Sequence, residues 1–143
     1  MPQPARPLRG HGPRWRTLPG VRIPLPRPAG ARSPDGALGD ALLSVSRRGE
    51  TVARLGGEEF AILLPGSTGP EAEAAAERAR QAVEATWLDG PSGRVTVTTS
   101  AGVASTAELG PVSGGDLYDR ADAALYEAKR RGGNRVLLAG GSG

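Results

Sequence analysis

The chain has 143 residues, with 22 Gly, 13 Pro and no Cys, so it holds at most one domain's length and can form neither a disulfide nor a cysteine metal site. Only 38% of residues are hydrophobic and 3% aromatic, which leaves Ala, Val and Leu to build a core, and no apolar run approaches the ~18 residues of a membrane span. Residues 1–50 carry nine Arg against three acids (net +6) and nine of the 13 Pro, whereas residues 51–143 carry nine cations against 12 acids (net −3); the basic character belongs to one end and says little about the folded part.

From Met1 to Pro34 no helical or strand periodicity is visible. Pro recurs at 2, 4, 7, 13, 19, 24, 26, 28 and 34, each removing a backbone donor and restricting the residue before it. The one apolar run, Val21-Arg22-Ile23-Pro24-Leu25-Pro26, cannot be a central strand. Residues 1–46 are therefore expected to be a disordered Arg/Pro/Gly-rich segment. A nucleic-acid arm through Arg6, Arg9, Arg14 and Arg16 is the alternative, but the interleaved Pro and the single Trp15 argue against a nucleic-acid partner. No charged-then-apolar-then-small start resembles a secretory signal, and a transit peptide is poorly matched because Pro this dense prevents an amphipathic helix. A patternless Arg/Pro/Gly stretch beside a patterned domain is also what a GC-rich gene gives when read out of frame, and the nucleotide sequence tests that.

From Thr51 the pattern changes. Thr51-Val52-Ala53-Arg54-Leu55 reads as a strand, and Phe60-Ala61-Ile62-Leu63-Leu64 as a second, buried one closed by Pro65-Gly66. Gly56-Gly57-Glu58-Glu59 between them reads as a hairpin turn. Pro70, with Glu71 and Glu73 behind it, opens a helix to about Thr86 that stripes Ala72, Ala75, Ala76, Ala79 and Val83 along one face. Arg94–Ser100 alternates and is β-branched, so it is expected to be a strand continuing through Ala101-Gly102-Val103. A second helix starts near Ser113 to Asp116, with Leu117, Ala121, Ala124, Leu125 and Ala128 inward. It ends on Lys129, Arg130 and Arg131 before Gly132-Gly133. Arg135–Leu138 is a last strand, and residues 140–143 a flexible tail. The order β-β-α-β-α-β predicts an α+β sandwich with helices on one sheet face.

The hairpin carries the chemistry. Two glycines clear side chains from a turn, so a ligand's phosphates or base can reach the backbone. Two adjacent acids repel unless a cation sits between them, and the cation that suits carboxylates beside phosphates is Mg²⁺. The plain alternative is an ordinary turn with exposed acids.

Arg54-Leu55-Gly56-Gly57-Glu58-Glu59-Phe60 resembles the signature of the GGDEF, or diguanylate cyclase, domain in its GGEEF form. Phe60–Pro65 resembles the strand after the signature, and Val97–Ala104 the next strand. Ala121-Asp122-Ala123-Ala124-Leu125-Tyr126-Glu127-Ala128-Lys129 is similar to the last helix, and Gly133-Asn134-Arg135-Val136 to the turn that follows. The resemblance covers residues 47–138 and implies a partial domain at 47–139, with a ferredoxin-like or nucleotidyl-cyclase-like α+β sheet bearing packed helices, N-terminally incomplete. It implies a cytoplasmic signalling enzyme that condenses two GTP into cyclic di-GMP across a homodimer, each 3′-hydroxyl attacking the other α-phosphate, with Mg²⁺ (or Mn²⁺) neutralising charge. On this resemblance Gly56 and Gly57 admit the nucleotide. Glu58 holds metal and is the candidate base, Glu59 completes the metal and catalytic site, and Lys129 holds the triphosphate. A second phosphate position, often Arg in the family, is Gly133 here, so that contact is absent or passes to Arg130 or Arg131. Arg47, Glu50 and, on the following helix, Arg78 match the inhibitory cyclic di-GMP site, with Glu50 where Asp is usual.

The departure lies upstream. The family's first strand carries a metal-binding Asp, and nothing before Glu50 matches it; Asp35 and Asp40 are the other acids there. Gly39-Asp40-Ala41-Leu42-Leu43 resembles the start of a helix whose Asp contacts guanine, but its spacing to Gly56 is about two turns short. Weak or absent cyclase activity is therefore expected. The readings left open are an impaired cyclase, a catalytically inactive module binding cyclic di-GMP or GTP, and a damaged gene product.

Overall fold

The computed structural model describes residues 15–18, 21–24, 34–56 and 58–141. The chain divides into two units, Met1–Leu63 and Leu64–Gly143.

In the first unit β1 (Trp15–Leu18) and β2 (Val21–Pro24) pair antiparallel, with Leu18 opposite Val21. The helix α1 (Pro34–Val45) follows. Both features lie within the stretch expected to be unstructured. Pro34 suits the helix start, where its missing donor is not needed, and the Ser46 hydroxyl donates to Leu42 O (2.8 Å) as the helix ends. β3 (Thr51–Gly56) and β4 (Glu59–Leu63) form an antiparallel hairpin in which Thr51 faces Leu63 and Arg54 faces Phe60. A register shift between Arg54 and Gly56 leaves Leu55 as the extra residue of a bulge, which raises the local twist just before the turn. Leu42, Val52 and Ala53 are buried. Phe60 Cε1 lies 3.7 Å from where a Cβ on Gly39 would stand, so glycine lets the α1 backbone lie close to the ring. The expectation that the second strand is buried is corrected: Phe60, Ala61 and Ile62 are half-buried and Leu63 is exposed, whereas Val52 and Ala53 on the paired strand are buried.

In the second unit α2 (Gly69–Glu84) begins as expected. Thr68 accepts from Glu71 N (3.4 Å) while the Glu71 carboxylate accepts from Thr68 N (2.8 Å), a reciprocal cap satisfying two otherwise orphaned donors. Ala72, Ala75, Ala79 and Val83 are buried. β5 (Trp87–Gly90) and β6 (Gly93–Thr96) make a hairpin, with Gly90 opposite Gly93. The expected continuous strand 94–103 is therefore two: β6 stops at Thr96, residues 97–100 are irregular, and β7 (Ala101–Val103) starts afresh. β5 and the short helix α3 (Thr106–Leu109) escape pattern reading, since four residues hold too little periodicity. α4 (Gly114–Arg130) is capped by Ser113 and Asp116 as α2 is by Thr68 and Glu71. β8 (Val136–Leu138) runs parallel to β7, Ala101 against Val136. Val103, Ala124 and Ala128 are buried. A Cβ on Gly102 would collide with Ala121 O and Leu125 N of α4. The helix therefore rests directly on the strand backbone, an approach only glycine allows. Among the described residues every sheet has two strands, in place of the single sheet that the element order suggests.

Candidate functional site

The hairpin places the two glutamates where the sequence predicts. Gly56 pairs with Glu59, so Gly57-Glu58 is a two-residue connection, the tightest common form; Gly57 lies outside the described residues. Gly56, Glu58 and Glu59 are exposed. Neither glutamate side chain has a hydrogen bond or ion pair among the described residues. A Cβ at Gly56 would meet open space, so the face beside the turn is clear. Two acids sit at one tip, neither held in an ion pair among the described residues.

A metal can be tested against these donors. No group of three or more His, Cys, Asp or Glu able to hold one exists among the described residues. Mg²⁺ commonly takes one or two carboxylates and completes its octahedron with phosphate oxygens and water. Glu58 and Glu59 fit that partial donor set. They do not form an all-protein cage, so a metal here needs phosphates to complete its shell.

The Arg47-x-x-Glu50 spacing forms a closed turn. Glu50 N donates to Arg47 O (3.1 Å), Arg47 N donates back to Glu50 Oε2 (2.7 Å), and Gly49 takes φ +89°. The acid thus fixes the turn while the Arg47 and Arg48 side chains stay exposed. Asp40 is exposed on α1. In the second unit Arg78 is half-buried on α2.

Lys129 is exposed in the last turn of α4 and has no ion pair among the described residues. Its neighbours differ: Arg131 Nε donates to Glu127 Oε1 (2.9 Å), and Arg130 leans on the same carboxylate at 4.0 Å. Arg131 holds the Glu127 carboxyl below its ordinary range. Beyond the helix, Gly132, Gly133 and Asn134 all have positive φ, at 110°, 70° and 49°.

Sequence reasoning missed a side-chain network on α2. Arg80 grips Glu77 with two bonds, Nε to Oε2 (2.9 Å) and Nη2 to Oε1 (2.7 Å). Its Nη1 donates to Glu84 Oε2 (2.8 Å) and to Asn134 Oδ1 (2.6 Å), and Asn134 Nδ2 donates to Glu84 Oε1 (2.9 Å). The bonds to Arg80 push Glu77 below its ordinary value. Asn134 first, then Arg80, do the same to Glu84, and the Arg80 guanidinium is raised in turn. The available signal was Glu77, Arg80 and Glu84 at helical spacing on one face, but nothing local points to Asn134, 54 residues away from Arg80.

An α+β module built of an acid-tipped hairpin, two Ala-lined helices and a parallel strand pair crossed by a helix is a nucleotidyl-cyclase-like fold. Residues 36–135, more than half of the chain, match the family described as "Diguanylate cyclase, GGDEF domain", and the chain belongs to the GGDEF family. The match starts ahead of the boundary expected at residue 47 and takes in α1. Diguanylate cyclase A of Treponema denticola is 41% identical over 95 residues, 66% of this chain and 25% of that protein. Diguanylate cyclase DgcM of Escherichia coli K12 is 43% identical over 103 residues, 72% and 24% respectively. The chain thus spans about a quarter of the length of these relatives. Among solved structures, the GGDEF domain of DgcB from Caulobacter crescentus in complex with c-di-GMP superposes with a TM-score of 0.65 at 32% identity, covering 74% of this chain and 63% of that one. The active GGEEF domain of a diguanylate cyclase from Vibrio cholerae gives 0.63 at 33% identity, covering 73% and 65%. No helix among the described residues is long and apolar enough to cross a membrane.

Proposed function

We propose that this chain is a GGDEF module acting on GTP in cyclic di-GMP signalling, as a cytoplasmic diguanylate cyclase whose activity is impaired. The observation that carries this reading is the two-residue hairpin, which presents Glu58 and Glu59, both without protein partners among the described residues, beside a cleared glycine face. In this reading Glu58 and Glu59 hold Mg²⁺ (or Mn²⁺) together with the substrate phosphates, and Glu58 takes the proton of the attacking 3′-hydroxyl. Bound metal would supply charge neutralisation at the α-phosphate. Gly56 and Gly57 admit the nucleotide, Asp40 is a guanine contact and Lys129 a triphosphate contact. Arg47 and Glu50 are cyclic di-GMP contacts, as is Arg78. Catalysis needs a second copy to deliver the other GTP.

Impairment follows from the donor count. Two carboxylates without a third among the described residues leave the metal resting on its substrate, and losing a ligand lowers metal affinity and activity steeply. The same observation favours a second reading, a module that binds GTP or cyclic di-GMP without turnover. Incubation with GTP and Mg²⁺, followed by chromatography of the nucleotides, separates them. Slow synthesis abolished in Glu58→Ala supports the impaired cyclase, ligand binding without synthesis supports the module, and robust synthesis overturns the claim of impairment.

A further inference from the structure

Lys129 sits in the last turn of α4, just before a pair of glycines. The last turn of any helix lacks half of its partners and frays. Here it runs into two consecutive glycines, the residues with most conformational freedom to lose. Gly132 N bonds Lys129 O (3.1 Å) and Gly133 N bonds Ala128 O (3.0 Å), so whatever fixes the Gly-Gly turn also fixes the Lys129 backbone. The residue after the turn, Asn134, holds a left-handed φ of 49° and is gripped through both amide atoms by Arg80 and Glu84 of α2. Arg80 has only 13% of its side chain exposed and is itself held by two bonds to Glu77. Arg130 and Arg131 lean on Glu127, and position 133 has no side chain, so among the described residues Lys129 is the cation of this helix end that no carboxylate engages.

We propose that the Arg80–Glu84–Asn134 clamp is a positioning device for Lys129: by pinning the glycine turn to α2 it holds the ammonium group ready for a nucleotide triphosphate. The inference rests on the GTP reading above. Arg80 and Asn134 touch no ligand in it; they act through the turn.

The test is titration of the full chain, in Mg²⁺, with GTP by calorimetry and with guanosine by NMR. Lys129→Ala, Arg80→Ala and Asn134→Gly are the variants, the last keeping the positive φ while removing both clamp bonds. A charge-assisted hydrogen bond is worth roughly 1.5–3 kcal/mol, so a loosened lysine should weaken GTP by about tenfold or more. Guanosine, which has no phosphate, should bind all four proteins equally. Arg80→Ala should cost nothing further once Lys129 is already Ala, because the clamp works through it. Should Arg80→Ala fail to fold, Asn134→Gly carries the same comparison. Unchanged GTP affinity in the clamp variants overturns the proposal while leaving the GTP reading standing, as does parallel loss of guanosine, which marks a merely structural role. A folded wild type that binds no GTP overturns both.

Discussion

A methyl group at Gly102 would meet the Ala121 carbonyl and the Leu125 backbone, whereas at Gly69 the nearest group it would meet is the Glu108 carboxylate. The difference decides what each glycine is for. Helix backbone cannot step aside, so Gly102→Ala must push α4 off β7, a shift costing on the order of 1–3 kcal/mol or more. Glu108 is the tip of a flexible side chain. It can swing away, giving up its bond to Gly69 N (2.8 Å) and about 1 kcal/mol. Thermal unfolding of the two variants should rank Gly102→Ala well below Gly69→Ala, and equal losses would contradict the close contact of α4 with β7. At the hairpin the expectation is reversed: Glu58→Ala removes an exposed acid with no partner among the described residues and should leave stability within about 0.5 kcal/mol. It should abolish Mg²⁺-dependent GTP binding in calorimetry. If GTP binding persists with its metal dependence intact, Glu58 is not the metal ligand.

Elements with a strong period or a cap were legible in the sequence, and those set by distant partners were not. α2 announces itself through Pro70 with Glu71 and Glu73 behind it, and α4 through Ser113 to Asp116, and the Gly-Gly-Glu-Glu run marks its hairpin because a two-residue turn favours glycine. β5 is invisible because Trp87-Leu88-Asp89-Gly90 is too short to show alternation. Residues 97–100 keep a β-branched pattern yet have no strand pairing. The Arg80–Asn134 clamp joins sites no local pattern relates. Its carboxylates make it sensitive to acid. Glu77 and Glu84 lie below their ordinary value of 4.5 in the folded chain. A group with a depressed folded pKa contributes fully above its unfolded value and loses that contribution as pH falls through the folded one. The melting temperature of wild type should therefore exceed that of Arg80→Ala at neutral pH, and the gap should narrow on acidification from the ordinary glutamate range downward. A gap that stays constant to low pH would mean that Arg80 stabilises by packing alone.

At the scale of the whole molecule, stability and function meet in one measurement. Two-stranded sheets are marginal by themselves, and Ala-rich interiors bury little area per residue, so the folded state has a small margin and any specific ligand should shift it visibly. A ligand at a hundred times its Kd adds about 2.7 kcal/mol, which for a domain this small raises the melting temperature on the order of 10 °C. Anions will also gather nonspecifically on residues 1–50, whose net charge is +6. That contribution falls with ionic strength as screening tightens, whereas a site built on a metal or a directed Arg contact loses far less. Melting curves at high salt should therefore separate the two functional readings. Cyclase chemistry requires a GTP shift that disappears with EDTA and in Glu58→Ala. A receptor for cyclic di-GMP requires a shift with that dinucleotide, indifferent to EDTA and lost in Arg47→Ala. If neither nucleotide moves the transition once salt has removed the nonspecific part, both readings fall, because a state this marginal could not bind either ligand without being stabilised by it.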